Sequence, residues 1–255
     1  MTSLLPYVSF LYSKKVIWIV ILALGFGLFL VAHQWDVFLG QFVDLFSFRG
    51  LVLFGCALFF VKIAHEFGHA FTAKFYGCRV PTMGVAFLVL YPMLYTDTNE
   101  SWKLGSRRQR LNIAAAGVAV ELSIAAFATL AWSFLPPSSL RELAFVLATT
   151  TWISSVAINA SPFMRFDGYY LLSDWCGVAN LHERSFNLAR WWLRRKLFNI
   201  DEVAPENFAT NKKNFLIFFA FTVWIYRFFL FLGIAVLVYS FFVKVIGIIL
   251  FITEI

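Results

Sequence analysis

The sequence is poor in charge, in cysteine and in histidine. Asp, Glu, Lys and Arg make up 14% of the 255 residues. That is too little to solvate a globular surface when 61% of the residues are hydrophobic and 20% aromatic. A soluble protein is excluded, and a membrane protein remains. The three cysteines, Cys56, Cys78 and Cys176, form no CxxC pair and no even framework, which excludes a disulfide scaffold and a cysteine zinc cluster. With four histidines, a membrane di-iron oxidase or desaturase is excluded as well, because such sites use many. No repeat, low-complexity tract or soluble domain of useful size interrupts the apolar runs. The net charge of +7 does not point to nucleic acid, because Lys and Arg gather beside apolar segments, where they set topology and meet anionic lipid.

What is present is a series of apolar runs. Val16 to Ala32 is unbroken for 17 residues, close to the roughly 20 needed to cross a bilayer. No small-residue cleavage site follows it, so it reads as an uncleaved signal anchor. Leu51 to Ala64 is apolar apart from Lys62 and runs directly into "AHEFGHA", so one long helix carries both, with no break before Tyr76 and Gly77. Val85 to Tyr95 is too short to span and contains Pro92, which suits a re-entrant hairpin or membrane-edge strands. Leu111 to Leu135 is a full span containing Glu121, ended by "PPSS"; Leu143 to Ala157 begins the next and runs into "INASPFMRFDG". The basic stretch Leu172 to Lys213 contains "LARWWLRRKLF", an interfacial helix with aromatic anchors, and Phe215 to Ile255 holds one or two further spans.

The expected fold is therefore all-α, a polytopic membrane helix bundle of about five or six spans with a short re-entrant or membrane-edge hairpin. It forms a single integral-membrane domain over residues 1–255, with its core at 51–170, a basic interfacial segment at 172–213 and the C-terminal span or spans at 215–255. The Lys and Arg residues alternate between loops so that the N-terminus, the loop Thr96 to Arg110 and the region after Asp167 fall on the cytoplasmic side.

In a helix, residues four apart share a face, so His65 and His69 can direct imidazoles to one metal ion while Glu66 reaches the water that the metal activates. That is the logic of HExxH in zinc peptidases. A catalytic zinc takes three protein ligands, so one more is needed. His33 and His182 are expected to be solvated or interfacial. Asp97, Glu121 and Asp167 are the carboxylates to consider. The topology puts Asp167 in the same half of the bilayer as His65 and His69, so it can meet them, whereas Asp97 is expected to cap or solvate a loop. Glu121 lies about 15 Å into its span by helical rise, where an ionisable group is costly. A direct substrate or zinc contact, a pairing with Lys62 and a carboxyl kept protonated are all open for it. Pro162 removes a helix donor and predicts an unwound segment in which Asn159 can bind the backbone of an extended substrate.

HExxH at His65 to His69, followed after another span by "NASPFMRFDG" at Asn159 to Gly168, resembles the site-2 protease family of intramembrane zinc metalloproteases. The resemblance covers Leu51 to Tyr170. It implies His65, His69 and Asp167 as zinc ligands, Glu66 as general base and Asn159 as a substrate-positioning residue. The remainder is similar to a bacterial subgroup of peptide zinc metalloproteases associated with membrane-fusion adaptors and peptide export. That implies an inner-membrane protein with a cytoplasmic N-terminus, which is the membrane half of a two-part system. In the intervening span, the family's G-P-x-x-N element is replaced by "GVAVE", Gly117 to Glu121, and no inserted PDZ-like domain is present.

The expected function is an intramembrane zinc metallopeptidase acting on membrane-embedded or membrane-delivered peptides, with Glu66 catalytic, His65, His69 and Asp167 on Zn2+, and Asn159 and Glu121 on substrate. The expected partners are the peptide, the bilayer and an adaptor or export machinery. The alternative is a non-proteolytic, zinc-containing export or assembly component that binds a peptide or adaptor. A metal transporter, with Glu121 and Lys62 in its pathway, is a further alternative.

Overall fold

The computed structural model describes residues 4–88 and 91–254. Residues 89 and 90 of the expected hairpin and Ile255 of the expected C-terminal run lie outside the described residues. The chain divides into two compact units, Met1–Cys176 and Gly177–Ile255.

The first unit is built on three long helices: α1 (Lys14–His33), α2 (Phe48–Phe75) and α3 (Arg107–Phe134). Serines open the first two, with Ser13 Oγ accepting the Val16 N–H and Ser47 Oγ accepting the Gly50 N–H. At 28 residues, α2 and α3 each extend about 42 Å, longer than the roughly 30 Å hydrocarbon core. Between them, β1 (Met83–Leu88) and β2 (Tyr91–Thr96) form an antiparallel hairpin in the register Met83 opposite Thr96 and Val85 opposite Leu94. The hairpin is closed at its base by Glu100, which accepts the Arg79 N–H at 3.0 Å and pairs with Lys103 at 2.9 Å. The Lys103 bond, followed by that from Arg79, holds the Glu100 carboxyl below its usual range.

After α3 come α4 (Ser139–Trp152), a π-helical segment Ile153–Asn159, an irregular stretch 160–166 and α5 (Asp167–Cys176). The stretch 160–166 is the unwound segment expected around Pro162. Helices α1 to α4 pack around Trp132, which is fully buried. Phe38 meets Trp132 edge-on at 5.0 Å and Phe145 at 5.1 Å, and the Arg141 guanidinium lies over the indole at 4.5 Å. The Trp132 indole N–H donates to Gln41, and Arg141 donates to Gln34.

The second unit pairs α6 (Leu181–Phe198) with α7 (Thr210–Glu254). On α6, Leu181, His182, Ser185, Leu188, Ala189 and Trp191 are buried, so His182 is packed inside this unit and not solvated or interfacial as expected, and Arg190 and Arg194 are exposed, as the amphipathic pattern requires. Arg184 pairs with Glu206 and lowers the glutamate's pKa.

The fold is predominantly helical with one two-stranded sheet among the described residues. Among the described residues, four helices are long and apolar enough to cross a membrane: α1, α2, α3 and Thr210–Ile246 of α7. This differs from the expected count of about five or six spans. The C-terminal run is one unbroken helix. The run from Leu143 lies in α4, which ends after 14 residues and passes into the π segment. Its threonines Thr149, Thr150 and Thr151 and serines Ser154 and Ser155 lower its hydropathy.

Trp132→Ala should cost about 3–5 kcal/mol, because it empties a filled site and strips Arg141 of its ring. Phe59→Ala, at an exposed position, should stay within about 0.5 kcal/mol. Reversible unfolding of the detergent-solubilised chain measures both.

Candidate metal centre

His65 and His69 are buried on α2 and turn their Nε2 atoms toward each other at 3.1 Å. Asp167, the first residue of α5, places Oδ2 3.0 Å from His65 Nε2 and 3.3 Å from His69 Nε2. Among the described residues, these three form a cluster that could hold a metal ion. Two devices bring Asp167 there. Gly168 lies so close to the preceding turn that a Cβ would sit 2.2 Å from the Ala160 carbonyl oxygen. Asp174, one helical face further on, accepts from α3, with its carbonyl 2.7 Å from Arg107 Nε and its carboxylate 3.7 Å from Arg110. Part of the basic loop therefore anchors α5.

The donor atoms fit a zinc ion. His69 Nδ1 lies 2.8 Å from the Ile113 carbonyl and donates to it, so Nε2 carries a lone pair facing inward. Two imidazole nitrogens and a carboxylate oxygen 3.0–3.3 Å apart match the about 3.3 Å separation of tetrahedral ligands around zinc with bonds near 2.0 Å. The His69 lone pair and the Asp167 carboxylate face one point beside His65 Nε2, where a cation could be held. The space is kept by Gly117 on α3, where a Cβ would stand 2.4 Å from His65 Cε1 and 2.5 Å from His69 Nε2.

Glu66 follows His65 and is partly exposed; its carbonyl accepts from Thr96 Oγ1 at 3.2 Å, tying β2 to the motif helix. A polar cleft lined by Thr82, Tyr95, Thr96, Asp97, Thr98 and Asn99 opens at that end of the hairpin. Asp97 caps its own loop by accepting the Asn99 N–H at 3.0 Å, as expected, and is not in the ligand cluster. His33 is bonded to the Phe29 carbonyl at the end of α1.

Glu121 and Asn159, expected separately on substrate, are in contact. The Glu121 side chain is fully buried; its Oε1 lies 2.9 Å from Lys62 Nζ and accepts from Asn159 Nδ2 at 2.8 Å, while Oε2 accepts from Ser155 Oγ at 2.5 Å. Of the roles left open for Glu121, the Lys62 pair is the one seen. His65 Nδ1 is also 2.9 Å from Oε1, at too oblique an angle for a hydrogen bond. The sequence reading did not single out Gly117, Ser154 or Ser155 as site residues. Two adjacent serines four and five residues before an asparagine, and a glycine four residues before a buried glutamate, are the signals that were there.

The model of peptidase family M50 matches residues 53–247, from α2 into the last long helix. The chain belongs to this peptidase family. Membership implies an integral-membrane metallopeptidase of a zinc-dependent family, working in the bilayer on membrane-embedded substrate. No curated protein and no solved structure matches the chain.

In a member of this family, a methyl group at Gly117 should displace both imidazoles, so Gly117→Ala should abolish zinc retention by the purified protein. Gly55→Ala, on α2 with the two histidines but facing open space, should retain the wild-type zinc content. Elemental analysis of the two purified variants measures this.

Proposed function

We propose that the chain hydrolyses peptide bonds in membrane-embedded or membrane-delivered peptides, with His65, His69 and Asp167 holding zinc and Glu66 as general base. The observation that carries this is the convergence of three ligand atoms from α2 and α5 directly beside the glutamate of HExxH. When bound there, zinc lowers the pKa of water toward about 7 and polarises the scissile carbonyl. Glu66 takes the proton of the attacking water on its carboxylate and returns it to the nitrogen of the departing amine. The Thr96–Glu66 contact brings the hairpin and its polar cleft to the same turn of α2, a route for water and peptide. Each strand of the two-stranded sheet has an edge unpaired within it, and an extended peptide can add there. Asn159 gives its amide nitrogen to Glu121; its side-chain oxygen is the atom to accept a substrate N–H.

In this reading the protein acts in peptide maturation or export, in a bacterial inner membrane with its N-terminus cytoplasmic, alongside a membrane-fusion adaptor. A non-proteolytic export component has no use for a carboxylate beside the metal ligands. A comparison of peptide N-termini in membranes of cells carrying wild-type chain or Glu66→Ala, at equal expression, tests the proposal. Termini that vanish with Glu66 are expected. Identical sets, with export still supported by the variant, would leave the binding component as the account.

A further inference from the structure

The two histidines of the centre are held by different devices. His69 Nδ1 is fixed by a backbone carbonyl, that of Ile113. His65 Nδ1 is buried, and no hydrogen bond to it is made among the described residues. What faces it, 2.9 Å away, is Glu121 Oε1.

We propose that Glu121 is a positioning residue for the metal centre, whose carboxylate fixes the ring of His65 and strengthens its donor nitrogen, with Lys62 making that buried charge tolerable. The inference rests on the reading of His65 as a metal ligand. Lys62 and His65 are three residues apart on α2 and share a face, so one carboxylate from α3 reaches both. The carboxylate itself is pinned by Lys62, Ser155 and Asn159, and its side chain is fully buried. A group held from three directions cannot follow the ring, so the ring must follow it. When a metal-bound imidazole faces a carboxylate with its other nitrogen, the ring's tautomer and orientation are set and its basicity rises. At 2.9 Å the pair is already within hydrogen-bond distance, and reorientation of the His65 ring would align it. Lys62, with its side chain 29% exposed, reaches the charge from outside; without it the carboxylate would be an uncompensated buried ion.

A purely structural ion pair predicts something different, and a double substitution separates the two. The full chain in detergent is loaded with Zn2+ against a chromophoric chelator and, separately, with Co2+ for its visible spectrum. The variants are Glu121→Gln, the double variant Lys62→Met with Glu121→Gln, and His65→Ala. Glu121→Gln should raise the zinc dissociation constant about 10–100-fold and shift the Co2+ bands. The double variant, which leaves no unpaired charge, should regain the wild-type unfolding midpoint and keep the weakened affinity. Wild-type affinity and spectrum in the double variant would overturn the proposal and leave Glu121 as the partner of Lys62 alone. Wild-type zinc binding in His65→Ala would instead remove the metal-centre reading and this inference with it. Should neither glutamine variant fold, Glu121→Asp keeps the charge but withdraws it by one methylene; weakened zinc binding supports the proposal and unchanged binding overturns it.

Discussion

A carboxylate placed in the interior of a membrane-spanning helix has to be satisfied by protein, because the surrounding hydrocarbon offers neither water nor counterion. Glu121 imposes that constraint here, and much of the first unit answers it. Lys62 must sit on the facing helix at the height of the carboxylate, which fixes the register of α2 against α3. Ser155 and Asn159 must turn toward it from the chain that follows α4. Ser155 and Asn159 stand four residues apart in the π-helical segment Ile153–Asn159, and both reach one carboxylate. Once α2, α3 and the π segment are locked together in this way, His65 stands beside the same oxygen that receives Lys62.

The third ligand arrives through backbone geometry. The irregular stretch around Pro162 reverses the chain after the π segment, and Gly168 permits the tight approach to Ala160 that starts α5 at Asp167. Arg107 and Arg110 then hold the far turn of α5 through Asp174. The helix that carries Asp167 is thus held twice, by the close backbone approach of Gly168 to Ala160 and by charge from α3. Gly117 completes the arrangement from α3 by leaving room for both imidazoles. A recessed site of this kind combines rigid ligands with a polar opening at the hairpin end, where Thr96 meets the carbonyl of Glu66.

The long motif helix was legible because an apolar run flows without a breaker into HExxH, and the structure carries it from Phe48 to Phe75. The hairpin was legible from its shortness and its proline, although strands Met83–Leu88 and Tyr91–Thr96 extend beyond the expected bounds. The placement of Asp167 with the histidines followed from counting spans and sides. Three things were not legible. Periodicity carries no sign of π winding, so the joint role of Ser155 and Asn159 on Glu121 stayed hidden. The pairing of Glu121 with Lys62 was readable as one of its open roles, but the choice among them depends on helix register, which composition does not set. The number of spans is the third: the run from Leu143 carries polar side chains at 149–155, of which Thr149 bonds the Phe145 carbonyl and Ser155 bonds Glu121, and these shorten its apolar length.

The central claim is that two imidazoles and one carboxylate of this chain hold a zinc ion. X-ray absorption at the zinc edge of the purified full chain tests it most directly. The account predicts one zinc per chain with nitrogen and oxygen neighbours only, and loss of that signal in His69→Ala. A zinc with sulfur neighbours, or one that survives unchanged without His69, would contradict it.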